Sequence, residues 1–564
     1  MARAAGTGRS LSGAGDPPPP SGASGSDRYR AVMRSLRIRS LAAVVIGAVA
    51  VTGAAVLTVP ASAAKPTAPP IIDDAPVPGA KRLNFRAGPF DIKSGQNNIA
   101  FLPGIEKPQV DGYITAIRPD LKYANGKTPG VDVVHLHHGV WLNFSDADAT
   151  MRGPERFFAA GEEKTALVLP EGFGYEYEAT DQWTLNYMIH NLWPKPRKVW
   201  ITYAIDFIPA TSRAAESITP ARPVWMDIQN GEIYPVFDAI KGSGTNGTYT
   251  YPDQEPDAYA KQSSDANPPG RRGFRPSAPK NVWTVDEDRT VIATAGHLHP
   301  GGLHNDLYVT RAGATAPKAN RKPGTTDTAR LWRSEAVYYE PAGAVSWDVS
   351  MTVTPLDYRV ALKKGDVLST TVTYDTADAS WYESMGIMVV WTAPTKGIDP
   401  FRTKVARRGL LTHGHLPEND NHGGKPAGRA YINALKVQSS PEPVSNILIE
   451  DYVYARGDMS LADNIPTVPA GSSITFDNSL DAPKENGIWH TITACKAPCN
   501  RSTGIAYPRA DAEVQFDSGE LGIAGPPTAN RLTWRTPTDM DPGTYTYFCR
   551  IHPFMRGAFR VTES

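Results

Sequence analysis

The chain has 564 residues, with 58 Lys and Arg against 58 Asp and Glu, 41% hydrophobic and 21% charged residues. This balance is typical of a globular protein with about three domains, and it excludes disorder as the main state. The zero formal net charge gives no overall field for holding a polyanion, so nucleic acid is not expected as a partner. The 49 Gly, 50 Pro, 12 Trp and 23 Tyr predict many short strands joined by turns, and therefore an all-β protein.

The N-terminal residues are predicted to lie outside the fold. Residues 1–32 are rich in Gly, Ser, Pro and Arg and are expected to be disordered. Residues 33–63 have the features of a secretory signal peptide: basic residues, an apolar run over Leu41–Leu57, and a small-residue cleavage site at Ala61-Ser62-Ala63. An uncleaved anchor is the alternative, because the apolar run approaches the length of a membrane span. The cleavage site favours a secreted protein that has no stable membrane insertion.

Turn clusters and strand-like runs divide the rest of the chain. Residues 64–85 are rich in Pro and Ala and are predicted to be a linker. Alternating and apolar runs predict one β-sandwich over 86–211 and a second over 212–397. Residues 398–440 are irregular and are predicted to be a second linker. A third β-sandwich is predicted over 441–564.

Histidines cluster within the first two predicted sandwiches. They occur as His135, His137 and His138 in one apolar run, His190 in a later run, and His297 with His299 in a third. Residues two apart on a strand project to one face, so His297 and His299 can chelate one ion, as can His135 and His137. Adjacent His137 and His138 point to opposite faces unless the strand is bulged there. On spacing alone, each cluster is more often a group of core-edge or surface histidines than a metal site.

In chain order, these clusters and a later Glu383-Ser384-Met385 resemble the copper type II, ascorbate-dependent monooxygenases. That family includes peptidylglycine α-hydroxylating monooxygenase and dopamine β-monooxygenase, and the resemblance covers about residues 86–394. It implies two jelly-roll-like β-sandwiches facing a solvent cleft, dioxygen-dependent hydroxylation of a C–H bond, and a thioether ligand that favours Cu(I). The implied ligands are His137, His138 and His190 for an electron-storing type 2 copper and His297, His299 and Met385 for an oxygen-activating type 2 copper.

The chain departs from this family where the peptide-amidating enzyme holds the carboxylate of its substrate. Ala295, Ile387 and Val389 stand where that enzyme has an arginine, an asparagine and a tyrosine. A glycine-extended peptide is therefore not expected as the substrate, and a more apolar or otherwise different one is. The residue after the His pair is Gly139 rather than methionine, and this half of the chain has no cysteine.

The remaining histidines of this region have two interpretations each. His413, His415 and His422 either bind another ion or belong to a solvated, Gly-rich linker, which the lack of any strand or helix pattern favours. His304 either orients a metal-bound histidine without itself binding the metal, or is an ordinary surface residue.

The most specific signal lies near the end of the chain. Cys549, His552 and Met555 stand within seven residues, and His490 stands in an apolar run upstream. Two His, one Cys and a weak axial Met form the donor set of a blue-copper electron-transfer centre. These residues resemble the cupredoxins, especially the amicyanin- and plastocyanin-like members, over roughly residues 447–564. The resemblance implies a Greek-key cupredoxin sandwich in which the four residues bind a type 1 copper.

The three cysteines fit an exported protein only in part. Cys495 and Cys499 are close enough to close a small disulfide loop, which leaves Cys549 as a free thiol. Metal ligation would explain such a thiol in an oxidising compartment.

The sequence as a whole predicts a secreted copper oxidoreductase with three ions, one type 1 and two type 2. A monooxygenase-like pair of sandwiches would receive single electrons from the fused cupredoxin. The expected partners are an unidentified small-molecule or peptide substrate and a reductant such as ascorbate or a redox protein. One alternative is a copper-binding electron-transfer protein without oxygenase activity, and a weaker one is a cell-surface interaction protein that keeps only the scaffold.

Overall fold

The computed structural model describes most of the chain after residue 68. The described ranges are 69–131, 133–229, 235–252, 281–312, 327–339, 348–377, 379–405, 408–416, 434–484, 487–496, 514–523, 531–552 and 554–563. The predicted disordered extension, signal peptide and Cys495–Cys499 disulfide lie outside what is described, so secretion stays a prediction. None of the helical structure in these ranges is long and apolar enough to cross a membrane.

Strands dominate the described residues, with one 3-10 helix at Arg213–Ser217, and the all-β prediction is confirmed. The first sandwich consists of β1 Lys81–Ile92, β2 Ile99–Pro103, β3 Gly112–Lys122, β4 Val134–Ala147, β5 Pro154–Gly161, β6 Leu167–Val168, β7 Phe173–Tyr177, β8 Trp183–Asn191 and β9 Arg197–Pro209. Strands β1-β9-β3-β7 form one sheet and β2-β8-β4-β5 the other. Buried Trp141, Phe157 and Tyr203 belong to the core of this sandwich. Because β1 starts at Lys81, the fold begins inside the segment predicted as a linker.

The second sandwich follows without a break in the sheet. Its strands are β10 Thr219–Asp227, β11 Phe237–Ala239, β12 Thr248–Tyr251, β13 Val282–Thr284, β14 Arg289–His297, β15 Gly302–Thr310, β16 Thr328–Tyr338, β17 Val349–Val353, β18 Val360–Leu362, β19 Val367–Asp375, β20 Trp381–Ser384, β21 Ile387–Ala393 and β22 Leu410–Leu411. Strand β10 pairs with β7 of the first sandwich and with β21 of the second. The first two sandwiches therefore share one continuous sheet, which contains β14, whereas β4 and β8 belong to the other sheet of the first sandwich. Strand β22 pairs with β17, so part of the segment predicted as the second linker is ordered on the second sandwich.

The third sandwich is formed by the strands from residue 438 onward. Its strands are β23 Gln438–Pro443, β24 Asn446–Glu450, β25 Val453–Tyr454, β26 Asn464–Pro469, β27 Thr475–Asp477, β28 His490–Lys496, β29 Val514–Leu521, β30 Thr533–Arg535, β31 Gly543–Phe548 and β32 Arg556–Thr562. One sheet has the order β23-β26-β32-β31-β28-β29 and the other β25-β24-β27-β30. Phe476, Trp534 and Phe559 are buried in its core. The ends of β28 and β31 bring the predicted ligand residues to one edge of the sandwich.

Buried polar contacts attach the third sandwich to the second. The Arg550 guanidinium donates to the Ser380 carbonyl oxygen at 2.7 Å and lies 4.3 Å from the ring centroid of Trp381. The same guanidinium pairs with Asp517 at 3.1 Å, and Asp517 also accepts from the Ser380 backbone N–H at 3.0 Å. Since the Asp517 side chain is fully buried and that of Arg550 is 5% exposed, these contacts hold the loop that follows Cys549 against β20.

Candidate metal centres

The predicted ligands of the third sandwich converge. His490 begins β28, and Cys549, His552 and Met555 lie between β31 and β32; all four are buried. His490 Nδ1 lies 3.1 Å from His552 Nδ1 and 3.9 Å from Cys549 Sγ, and His552 Nδ1 lies 3.6 Å from the same sulfur. The main chain of Met555 closes the loop, because the Cys549 N–H donates to its carbonyl oxygen at 3.2 Å. Two ring nitrogens and a sulfur therefore face one point, and this combination of donors suits copper.

Neighbouring groups prepare these donors for a metal. His490 Nε2 lies 3.0 Å from an Asp481 carboxylate oxygen, which places the proton on Nε2 and leaves the Nδ1 lone pair toward the sulfur. The backbone N–H groups of Thr491 and His552 both donate to Cys549 Sγ at 3.3 Å. Burial by itself would raise the pKa of Cys549, but the adjacent His552 and His490 outweigh it and hold that pKa well below its usual value. The thiolate is the form that binds metals.

Six histidines of the first two sandwiches form one buried cluster: His135, His137, His138, His190, His297 and His299. Their ring centroids are separated by 5.5 Å for His135 and His190, 5.8 Å for His137 and His138, 4.2 Å for His137 and His299, and 5.3 Å for His297 and His299. The resemblance implied a solvent cleft between two ligand sets. The structure instead places His137 of one set directly against His299 of the other.

A strand irregularity brings the adjacent histidines into this cluster. His135 stands opposite His190 in the pairing of β4 with β8, and the register then shifts between Leu136 and His138. The sequence required a bulge at this position for both His137 and His138 to serve a metal region, and the structure has it. Both side chains are buried, at 6% and 7% exposure.

Two adjacent carboxylates that sequence reasoning missed lie in the same cluster. Glu162 and Glu163 follow β5 and are 1% and 0% exposed. Glu163 Oε2 lies 3.0 Å from His297 Nδ1, and Glu162 Oε2 lies 3.5 Å from His137 Nδ1. Gly161 permits this approach, since a Cβ there would stand 2.7 Å from the His297 ring. An acidic pair directly after an apolar strand was the signal that could have found them.

The cluster is electrostatically suited to cations. Burial lowers the pKa of His138, His190 and His299 well below its usual value, with neighbouring histidines adding to the effect, and burial lowers that of His135 to about 4. These rings are therefore neutral at neutral pH, which is the form that binds metals. His297 differs, because the Glu163 carboxylate outweighs burial and raises its pKa.

Several donor atoms in the cluster fit a metal. His297 Nδ1 is turned to Glu163, while the buried Nε2 atoms of His297 and His299 have no hydrogen-bond partner within the described residues. His135 Nδ1 lies 2.5 Å from the Val131 carbonyl oxygen, the kind of outer contact that orients a ligating imidazole. The donor set of imidazoles with carboxylates suits copper and other first-row divalent ions.

Met385 lies at the edge of the cluster. The Tyr374 hydroxyl accepts from the backbone N–H groups of His299 at 3.0 Å and Met385 at 3.1 Å, and it donates to the Met385 carbonyl at 2.9 Å. The Met385 side chain is buried with Trp225 and Ile387 in a small apolar group. Tyr374 thus joins the main chains of two predicted ligands, and the ligand role of the Met385 sulfur stays a prediction.

One cavity connects the cluster with the third sandwich. Its volume is about 100 Å³, and the ring centroids of His190 and His552 stand 6.4 Å apart beside it. His552 Nε2 is buried and has no hydrogen-bond partner in the described part of the chain. Burial and the nearby Glu383 raise the pKa of Glu520 well above its usual value. The lining residues that bear on chemistry are His137, His190, His299, Glu383, Glu520, Arg550 and His552.

A second cavity of about 50 Å³ lies on the other side of His297 and is mainly apolar. Ala295, Ile387 and Val389 line it together with Phe158. Under the resemblance described above, these three positions would correspond to the polar substrate-holding groups of the peptide-amidating enzyme. All three side chains line one mainly apolar space beside His297.

The other candidate histidines lie elsewhere. His413 Nε2 approaches the Val349 carbonyl oxygen at 2.9 Å, and His415 bonds to the Asp348 carboxylate, so both pack on the second sandwich. His304 Nδ1 lies 3.4 Å from Asp306. His422 lies outside the described residues.

No protein-family model and no curated protein matches the sequence. Among solved structures, a purple cupredoxin from Nitrosopumilus maritimus is 18% identical over 21% of this chain and 99% of its own, with a TM-score of 0.13. A Cu-containing nitrite reductase from Thermus scotoductus SA-01 is 15% identical over 53% of this chain and 62% of its own, with a TM-score of 0.14. Recombinant peptide:N-glycanase F is 10% identical over 56% of this chain and 97% of its own, with a TM-score of 0.24. Likenesses this low support no conclusion about function, which depends on the geometry of the sites.

Proposed function

We propose that this protein is a copper-dependent, dioxygen-using oxidoreductase in which the third sandwich exchanges single electrons with the histidine cluster of the first two. The observation that carries this proposal is the shared cavity, where the rings of His552 and His190 stand 6.4 Å apart. Copper in these donor sets would cycle between its two oxidation states one electron at a time and would activate dioxygen when reduced.

The residues between the two regions supply a short and rigid connection. His552 turns Nδ1 toward Cys549 and lines the cavity that His190 also lines. The Arg550 contacts to Asp517 and Ser380 hold this loop in place. Because the ligand loop is short and fully buried, its donors keep nearly fixed positions whichever charge the site carries. Small reorganisation of this kind favours fast electron exchange.

We further propose that the reaction is a monooxygenation at an apolar C–H group. Such a reaction converts the C–H group and dioxygen to C–OH and water, and it consumes two electrons and two protons. The order of the histidine motifs supports this reaction class, and the apolar cavity lined by Ala295, Ile387 and Val389 supports the substrate class. The reductant would be ascorbate or a redox protein, and secretion remains part of the proposal.

A copper-binding electron-transfer protein without oxygenase activity is the second candidate. One observation favours it: the Met385 side chain packs against Trp225 and Ile387. An oxygen-activating site in which the Met385 sulfur binds copper does not require this apolar packing. Met385→Leu separates the two: loss of dioxygen consumption with unchanged blue absorbance supports the oxygenase, whereas a protein that never consumes dioxygen supports the carrier.

The test of the leading proposal compares dioxygen consumption with ascorbate in the copper-loaded intact protein and in Cys549→Ser. We expect three coppers in the intact protein, one type 1 and two type 2 by electron paramagnetic resonance, and a turnover at least about 10-fold lower in the variant. Equal turnover in both proteins would remove the electron-relay claim. A single copper per chain would leave only a blue electron carrier.

A further inference from the structure

The side chain of Glu162 is buried beside the histidine cluster without the contacts that a buried carboxylate needs. It is 1% exposed, and neither carboxylate oxygen has a hydrogen-bond partner within the described residues. His137 Nδ1 stands 3.5 Å from Glu162 Oε2, longer than a normal hydrogen bond. Burying a carboxylate without close hydrogen bonds costs several kcal/mol, and a metal ion bound between Glu162 and the neighbouring imidazoles would offset this cost.

Two imidazoles face the same point as this carboxylate. One donor atom from each of His135, His137 and Glu162 lies within 4.8 Å of the other two. His135 is oriented by its Nδ1 contact with the Val131 carbonyl oxygen, which is typical of a ligating histidine. His190, directly opposite His135 in the strand register, has its ring centroid 5.5 Å away.

The ligand set implied by the resemblance does not converge in the same way. Within the described residues, the sets of three donors that meet within 4.8 Å are His135 with His137 and Glu162, and His490 with Cys549 and His552. His138 is hydrogen-bonded to Asn186, and the charges that act on it are those of His137 and His297. Its ring is close to that of His137, with centroids 5.8 Å apart, but its nitrogen atoms are not part of the group of three donors that includes His137.

We propose that His135, His137 and Glu162 form a divalent-metal site, and that His137 does not share its ion with His138. Two imidazoles and a carboxylate suit Cu(II) or Zn(II), and the carboxylate makes the site less favourable for Cu(I) than three imidazoles would be. This assignment concerns ligands alone and holds whether or not the protein hydroxylates a substrate.

Two of the three donors border a small cavity. This cavity of about 20 Å³ on the first sandwich is lined by His135, Glu162, Asp120 and Lys164, and its volume is enough for a water molecule. His137 lines the larger cavity at the junction of the sandwiches, whereas His135 and Glu162 do not. The proposed site therefore borders both cavities.

The experiment titrates full-length, metal-free protein with Cu(II) alone and with Zn(II) alone, and counts bound ions by elemental analysis after competition with a chelator. Glu162→Gln keeps the shape of the side chain and removes its charge. We expect Glu162→Gln to lower the affinity for one bound ion by more than about 100-fold, because losing only a group that hydrogen-bonds to a metal ligand already lowers metal affinity ~10–100-fold. Glu163→Gln is the matched control, since Glu163 contacts His297, and it should keep that ion.

Two further variants complete the test. His135→Gln should lose the same ion, whereas His138→Gln should keep it. The assignment would be overturned if His138→Gln lost the ion while His135→Gln and Glu162→Gln kept it. Retained blue absorbance in each copper-loaded variant shows that the chain has folded. Failure of the proposed reaction appears instead in the dioxygen consumption of Cys549→Ser, so the two outcomes are distinguishable.

Discussion

The contact between Arg550 and Asp517 should contribute strongly to the stability of the folded chain. Replacing Arg550 by Met keeps most of the volume of the stem and removes the charge. Breaking a buried ion pair by removing one partner costs roughly 3–5 kcal/mol. Asp517 would keep three donors, from Thr493 Oγ1 at 2.7 Å, the Ser380 N–H at 3.0 Å and the Gly519 N–H at 2.9 Å, which places the electrostatic cost near the lower end.

Two further losses add to this cost. The Ser380 carbonyl oxygen loses the 2.7 Å bond from Arg550, worth about 1 kcal/mol. The stacking of the guanidinium on Trp381 contributes about 1 kcal/mol more. We therefore expect Arg550→Met to lower the free energy of unfolding by about 5 kcal/mol, and a double variant with Asp517→Asn to recover about half of that loss.

The assay is urea-induced unfolding of copper-free protein followed by circular dichroism. Lys363→Met is the control, because it breaks an ion pair with Asp288 in which both side chains are well exposed, and exposed pairs contribute little to stability. A cost for Arg550→Met no greater than that of the control would refute the reasoning. So would a double variant that is no more stable than Arg550→Met.

Two other predictions concern carboxylates. Asp481→Asn should lower copper affinity at the site formed by His490, Cys549 and His552 by ~10–100-fold, because it weakens the hydrogen bond that orients His490. The affinity is measured by competition with a chelator. Asp451→Asn is the control and should leave the affinity unchanged, since Asp451 is exposed and pairs with the same lysine, Lys484, as Asp481 does. Burial raises the pKa of Glu155 to about 7, although the Tyr175 hydroxyl donates a 2.7 Å bond to its carboxylate. The stability that this group contributes is therefore fully present below pH ~4.5 and is lost as the pH rises through 7. Glu155→Gln should remove this loss, so its advantage in free energy of unfolding over the intact protein should grow by about 3 kcal/mol from pH 4.5 to pH 8 in denaturant titrations; an unchanged pH profile would contradict the shift.

Local patterns were enough to predict the fold class and to identify four residues that the fold brings together in the third sandwich. Turn residues and alternating runs are properties of short segments, so the all-β class could be predicted from them. Cys549, His552 and Met555 share one short loop, whose covalent length keeps their donors together. His490 was found because its residue type completes a familiar donor set, and the pairing of β28 with β31 brings it to the loop.

The composition of the histidine cluster, by contrast, was decided by tertiary structure. Which imidazoles meet depends on the register of β4 against β8, where a shift of one residue turns a side chain to the opposite face. The carboxylate of Glu162 directly follows β5, which pairs with β4, and that of Glu520 belongs to the third sandwich; no spacing rule connects either with the histidines. The sequence by itself determined the kinds of donor atom and the strands that carry them. Only the folded chain decided which donors face one another, because strand pairing, a bulge and a shared sheet bring together groups that covalent geometry leaves independent.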